Sequence, residues 1–320
     1  MLRLAIVGAG QLGSRHLQGV VQCKNHLEIY LVDPDITSLE RAKQRVLELD
    51  FDPTKIHYHN SLETLPSSLD IVIVATSSKI RAQVVKTLLT KKIGYLFLEK
   101  VLFQDIESYY EIKDLLQTHA VPCWVNHPRR MFPFYQTLKT EFSQSKKITM
   151  SVSGGNWGLG CNALHFLDLL AYFSNNTNLI IDNVKLVDVF ESKRPEYKEF
   201  YASLSAHIDN HSINVIASNT ELATSITITD EKKRIIINEV EGQYSYFDTQ
   251  SNNDIKKEQT KIIFFQSELT KLLIENLIEL GSCALPTYDE AMSLHVPFIK
   301  AVLHELNDFE RTEKTHCPIT

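Results

Sequence analysis

A two-domain α/β fold is predicted by three features of this 320-residue chain. From Met1 to about Val121, apolar runs alternate with helical segments, the pattern of a doubly wound parallel sheet with residues 1–122 as its domain. Beyond that the signals turn antiparallel, which predicts a C-terminal α+β domain over 123–320, built on an open, mostly antiparallel sheet. The third feature is Gly8-Ala9-Gly10-Gln11-Leu12-Gly13, a G-x-G-x-x-G directly behind the apolar run Leu2–Val7. Gly8 permits a tight turn, Gly10 lets the backbone approach a pyrophosphate, and Gly13 lets helix and strand pack closely. The helix that opens there offers N–H groups to phosphate charge. The first domain therefore reads as a Rossmann dinucleotide-binding fold.

A second strand, Glu28–Val32, ends at Asp33, 20 residues after Gly13. A carboxylate there accepts from adenosine ribose hydroxyls and repels a 2′-phosphate, which points to NAD; Arg3, Arg15 and Arg41 leave NADP open. Lys55–His59 reads as a third strand, Asp70–Ala75 as a buried fourth and Gly94–Leu98 as a fifth. Helices are expected over Lys79–Thr90 and Glu107–Thr118, with a sixth strand at Pro122–Val125.

In the second domain the expected helices are Pro133–Phe142, Asn162–Phe173, Gln266–Leu280 and Tyr288–Leu306, the last kinked at Pro297. Lys147–Ser153 reads as a strand, and Ala202–Ala217 folds back across Asp209-Asn210. Ser225–Thr229 pairs with Arg234–Asn238 as a hairpin. Ser251–Glu258 reads as a polar loop, and the tail from Asn307 as frayed.

Composition excludes several classes. Hydrophobic residues are 43% and charged ones 22%, with a formal net charge of −6, so nothing draws the chain toward nucleic acid or an anionic membrane. No apolar run reaches membrane-spanning length, and no cleavable signal is expected before the first strand. Five scattered cysteines without CxxC spacing read as reduced thiols in a cytoplasm. His57 and His59 share a strand face, but no third ligand follows, so no metal is expected.

Further motifs appear in order: Val74-Ala75-Thr76-Ser77, Glu99-Lys100, Arg129-Arg130-x-x-Pro133, Gly154-Gly155 leading to His165-x-x-Asp168, and Leu285-Pro286-Thr287. With the amino-terminal glycines these resemble the glucose–fructose oxidoreductase / inositol dehydrogenase / MocA (Gfo/Idh/MocA) family along nearly the whole chain. The resemblance implies a nicotinamide-dependent oxidoreductase acting on a hydroxyl or carbonyl of a sugar-like small molecule, including nucleotide-activated or carboxylated sugars. It also implies a homo-oligomer.

That resemblance assigns the site. Gly8, Gly10, Gln11, Leu12, Gly13, Asp33, Ala75, Thr76, Ser77, Glu99 and Lys100 would hold the cofactor. Lys100 would bind the reacting hydroxyl and stabilise alkoxide character, and His165 would move the proton. Asp168, one turn along the same helix, would hold the imidazole. Asn126, Arg129, Arg130, Trp157 and Asn162 would contact substrate, the arginines through a carboxylate or phosphate and Trp157 by stacking. Ion pairing for the arginines and packing for Trp157 are the competing readings.

The family's Glu-Lys-Pro becomes Glu99-Lys100-Val101 here, and without proline a trans bond is expected. The family's aspartate four residues before the histidine is Cys161. These two departures motivate a rival reading: a dinucleotide-binding sensor or regulatory protein with weak turnover.

Overall fold

The computed structural model describes residues 1–155, 157–249 and 255–320. The chain forms two compact units. In the first, strand β1 (Leu2–Val7) lies at the centre of a sheet with β2 (Leu27–Val32), β3 (Ile56–His59), β4 (Ser68–Val74), β5 (Lys92–Glu99) and β6 (Cys123–Asn126). The order is β3-β2-β1-β4-β5-β6, and every neighbour is parallel. Leu4–Val7 and Ile71–Val74 are buried along their whole length, because helices cover both faces of a parallel sheet.

Helices α1 (Gln11–Val20), α2 (Ile36–Leu47), α3 (Ser78–Leu89) and α4 (Ile106–Thr118) alternate with these strands. Asp35 caps α2, its carboxylate accepting from Thr37 N and Ser38 N, which stabilises by ~1 kcal/mol. Strand order reverses between β1 and β4, so their carboxyl ends flank the crevice in which open α/β sheets bind ligands.

The first unit comprises Met1–Phe103, Glu107–Pro128 and Phe264–Asp289. The last segment carries α7 (Gln266–Leu280), which packs on α1. Gly19 permits that approach, since a Cβ there would collide with the Ser267 carbonyl. This segment therefore joins the first unit, although it lies far beyond residue 122.

The second unit holds β7 (Thr149–Gly155), β8 (Ile180–Glu191), β9 (Lys198–Ile208), β10 (His211–Ser218), β11 (Ser225–Thr229), β12 (Lys233–Asn238), β13 (Gln243–Asp248) and β14 (Ile255–Gln259). They form one sheet of order β14-β13-β12-β11-β7-β10-β9-β8, antiparallel except for β7 with β10. Helix α6 (Leu159–Ser174) packs on β9 and β10. Burial alternates with period two along β9 and β10, as a sheet covered on one face requires. Helix α5 (Pro133–Glu141) and, from Glu290 on, α8 (Tyr288–Glu310) belong to the same unit, and α8 continues through Pro297.

Two expectations are corrected. Of Ser251–Glu258, residues 251–254 lie outside the described residues, but 255–259 is an edge strand rather than loop. The tail is not frayed at its end: Cys317 and Ile319 are fully buried, and Lys198 N donates to Pro318 O at 2.7 Å. Among the described residues, no helix is long and apolar enough to cross a membrane, and no His/Cys/Asp/Glu group could hold a metal.

Candidate active site

The three motif glycines do different jobs. Gly8 has φ +96°, the left-handed region that glycine alone enters without strain, and a Cβ there would sit 2.9 Å from the Ala75 carbonyl carbon. A Cβ on Gly13 would fall onto the Gly8 carbonyl. On Gly10 it would meet nothing within 4 Å. Two glycines thus pack the turn against β4, and the third leaves its backbone open.

Gly10 is also the N-cap of α1 and has no side chain to close the helix, so first-turn N–H groups remain available for an anion. Gly8 N donates to Val32 O and Ala75 N to Val7 O, both at 2.8 Å, which ties the ends of β1, β2 and β4 together. Half-buried Asp33 accepts from Ala9 N at 2.6 Å and Asp35 N at 2.9 Å. Those bonds fix its carboxylate beside the turn and leave acceptor capacity on both oxygens. Arg45 holds Gln11, donating to its side-chain Oε1 and, at 2.8 Å, to its carbonyl. Ser77 stands at the N-cap of α3 without a side-chain capping bond, and the buried hydroxyl of Thr76 next to it has no hydrogen-bond partner. A polar atom left unsatisfied beside an open glycine and an uncapped helix suits a bound dinucleotide.

Lys100, half-buried, follows β5 directly. The Lys100–Val101 bond is cis, correcting the trans expectation. Tertiary contacts past the lysine accompany it: Val101, Leu102 and Phe103 are fully buried, and Arg81 from α3 donates to the carbonyls of Val101 and Leu102. The same guanidinium donates to Thr76 O, so one buried arginine braces the ends of β4 and β5.

Glu99 is 4% exposed and lies in a network rather than a pocket mouth. Its Oε1 meets His16 Nε2 at 2.8 Å and accepts from Asn126 Nδ2 at 2.5 Å. Asn126 also donates to Gln266 Oε1 at 3.0 Å, and His16 Nδ1 meets Thr270 Oγ1 at 2.8 Å. Burial alone would raise the Glu99 pKa, but the bond to His16 and the charges of His16 and Arg81 outweigh it, holding the carboxyl below its usual range.

In the second unit, both arginines hold carboxylates. Arg129 forms a two-pronged pair with Glu239, Nε–Oε1 2.9 Å and Nη2–Oε2 2.7 Å, and Tyr135 donates to the same Oε1 at 2.6 Å. Arg130 binds Asp168 at 2.8–3.0 Å and Glu290 at 3.2 Å. Asp168 is fully buried, and its bonds go to Arg130 rather than to His165. Desolvation pushes its pKa up to about 6 despite the arginine. His165 is half-buried on α6, and Asn162 Nδ2 turns back to Gly158 O at 2.9 Å. The Trp157 ring stands edge-on to Phe166, centroids 5.8 Å apart, and its buried Nε1 has no hydrogen-bond partner.

Sequence reasoning missed His16, Arg81, Gln266 and Thr270. His16 carried a signal, standing three residues after Gly13 on the same buried face of α1. Arg81 carried none, since a cation inside an exposed-looking helix turn reads as solvated.

Residues 2–127 match the Gfo/Idh/MocA family, described as an oxidoreductase family with an NAD-binding Rossmann fold. The amino-terminal unit is a Gfo/Idh/MocA domain. No curated protein sequence matches the chain.

Among solved structures, the chain is similar to an oxidoreductase from Agrobacterium radiobacter in complex with NAD+, L-tartaric acid and magnesium. That likeness has TM-score 0.73 and 11% identity, covering 96% of this chain and 97% of that one. It is similar to the UDP-N-acetylglucosamine 3-dehydrogenase GnnA from Acidithiobacillus ferrooxidans, with TM-score 0.68, 14% identity, and 94% and 96% covered. It is also similar to a super-repressor mutant of Gal80p from Saccharomyces cerevisiae, with TM-score 0.75, 14% identity, and 97% and 96% covered. At these identities the likeness is one of fold. The fold is thus shared with an oxidoreductase, a dehydrogenase and a super-repressor mutant.

Proposed function

We propose that this chain is an NAD-dependent oxidoreductase that transfers a hydride between the nicotinamide and a carbinol or carbonyl carbon of an uncharged sugar or polyol. One observation carries the reading: the carboxyl edge of the first sheet presents an open Gly10 backbone, an uncapped helix start, the Asp33 carboxylate and Lys100 within one Gfo/Idh/MocA domain. The amides of the Gly8–Gly13 turn, with Gln11 and Leu12, receive the pyrophosphate, and Asp33 takes the ribose hydroxyls in preference to a 2′-phosphate. Ala75, Thr76 and Ser77 line the path toward Lys100. Bound NAD supplies the hydride acceptor. Lys100 donates a hydrogen bond to the reacting oxygen and stabilises its developing charge, and His165 takes the proton.

The arginines bear on the substrate. Arg129 is neutralised by Glu239, and Arg130 faces both Asp168 and Glu290, so these five side chains carry no surplus positive charge. An anionic substrate would have to displace one of these carboxylates, half-exposed Glu290 or buried Asp168 and Glu239, the last two at a cost of several kcal/mol. The two arginines serve as braces, and Trp157, with an indole N–H to offer, is the stacking surface for a neutral ring. Five free thiols suit a reducing cytoplasm. The open sheet face, where Ile216 and Ile236 are exposed between serines and threonines, is the self-association surface.

The test is reduction of NAD by a panel of neutral sugars and polyols beside their carboxylated and phosphorylated counterparts. Turnover with neutral members, lost in Lys100→Met, supports the reading. Turnover confined to anionic members overturns the substrate assignment. Cys161, which cannot supply the family aspartate's charge, favours a second reading as a dinucleotide-responsive regulator. Tight NAD binding with no turnover on any member, and no effect of Lys100→Met, would support that one.

A further inference from the structure

The His16–Glu99 contact has a definite proton arrangement. Thr270 Oγ1 donates its one hydrogen to Gln266 O at 2.8 Å, and accepts from Gln266 Nε2 at 3.1 Å. His16 Nδ1 lies 2.8 Å from the same hydroxyl. On the other side of the ring, Nε2 faces a carboxylate oxygen, which can only accept. Nε2 therefore carries a hydrogen and donates it to Glu99, from a ring 1% exposed to solvent.

We propose that His16 is a positioning residue for Lys100: its Nε2–H clamps Glu99, and through Glu99 it sets the turn that presents the lysine ammonium. The groups that face the pair come from several elements. Glu99 comes from β5, Arg81 from α3 acts on it through charge, Asn126 comes from β6, and Thr270 and Gln266 come from α7. Three elements distant in sequence thus converge on the residue preceding Lys100. His16 itself lies one turn beyond Gly13 on the helix whose start faces the cofactor, so the glycine turn and the lysine turn share one rigid support. The functional consequence rests on the reading of Lys100 given above; the positional claim does not.

The experiment measures acetylation of Lys100 by a brief pulse of acetic anhydride across a pH series in the full chain, read by mass spectrometry against exposed Lys92. His16→Gln and Glu99→Gln are each expected to change the Lys100 rate by ~3-fold or more, with Lys92 unchanged and the double variant no worse than either single one, since the two act as a unit. Additive effects, or a Lys100 profile identical to wild type in folded His16→Gln, would overturn the proposal. Should that variant not fold, ring 15N signals of His16 in the wild-type protein decide. A hydrogen on Nε2 at neutral pH supports the clamp, and a ring with Nε2 bare overturns it. Where turnover is found, His16→Gln should lower kcat by ~10-fold while leaving the KM for NAD within about twofold, the split expected of lost positioning rather than lost binding. Wild-type protein that takes up no dinucleotide would refute the oxidoreductase reading and leave the labelling result standing.

Discussion

His16 Nε2 lies 2.8 Å from Glu99 Oε1, and the two residues are 1% and 4% exposed. A buried ionisable pair so placed contributes little net stability while intact, but removal of one partner is costly, because the other remains buried without its partner. The pair joins the first helix to the end of the fifth strand, where Lys100 begins.

Acid should expose this pair. The Glu99 carboxyl titrates below its ordinary value of 4.5 in the folded state, so its contribution is fully present above that value and is lost as pH falls through the folded pKa. Denaturant titrations at neutral pH should show Glu99→Gln less stable than wild type by ~3 kcal/mol. The gap should narrow below pH 4.5. A gap that widens in acid would contradict the assignment.

The two outer motif glycines should not behave like the middle one. Gly13→Val places side-chain atoms on the Gly8 carbonyl and should cost ~3 kcal/mol or more, read as a large fall in melting temperature. Gly10 has φ −61° and open space before it, so Gly10→Val should melt within ~0.5 kcal/mol of wild type.

Arg81 is expected to be as important to the lysine turn as any residue on it. Arg81→Met removes the donor shared by the carbonyls of Thr76, Val101 and Leu102, and a loss of ~3 kcal/mol is expected in denaturant titration. A change under ~0.5 kcal/mol would mean those carbonyls find other donors.

Asp33 should set cofactor preference. Asp33→Ser ought to weaken NAD by ~10-fold or more while improving NADP, since it removes both a charged acceptor and a repulsion toward the 2′-phosphate. Fluorescence titration with the two reduced nucleotides measures the ratio.

Much of the first unit was legible because its signals are local. The glycine turn, Asp33 and the apolar strands each announce themselves within a few residues, and Gln266–Leu280 falls where its periodicity puts it. Strand β8 was not legible, because register shifts at Ile181/Asn183 and Leu186/Asp188 break its period of two. Strand β14 is exposed at every position, so an edge strand offered no apolar alternation to read. Lys100 and His165 could be named for the proposed site from the chain, but the pairings around it could not. Arg129 with Glu239 spans 110 residues, and His16 with Thr270 spans 254. Such pairings depend on how strands are ordered in space, which spacing along the chain does not encode. The same holds for Cys317, whose burial depends on the distant start of β9.

The central claim is that the carboxyl edge of the first sheet holds a nicotinamide dinucleotide across Gly10. Calorimetric titration of NAD into wild-type protein and Gly10→Val tests it most directly. One NAD per chain for wild type, and none for an equally stable Gly10→Val, is the expected result. Well-folded wild-type protein that takes up neither NAD nor NADP, or a Gly10→Val variant that binds NAD as tightly as wild type, would contradict it.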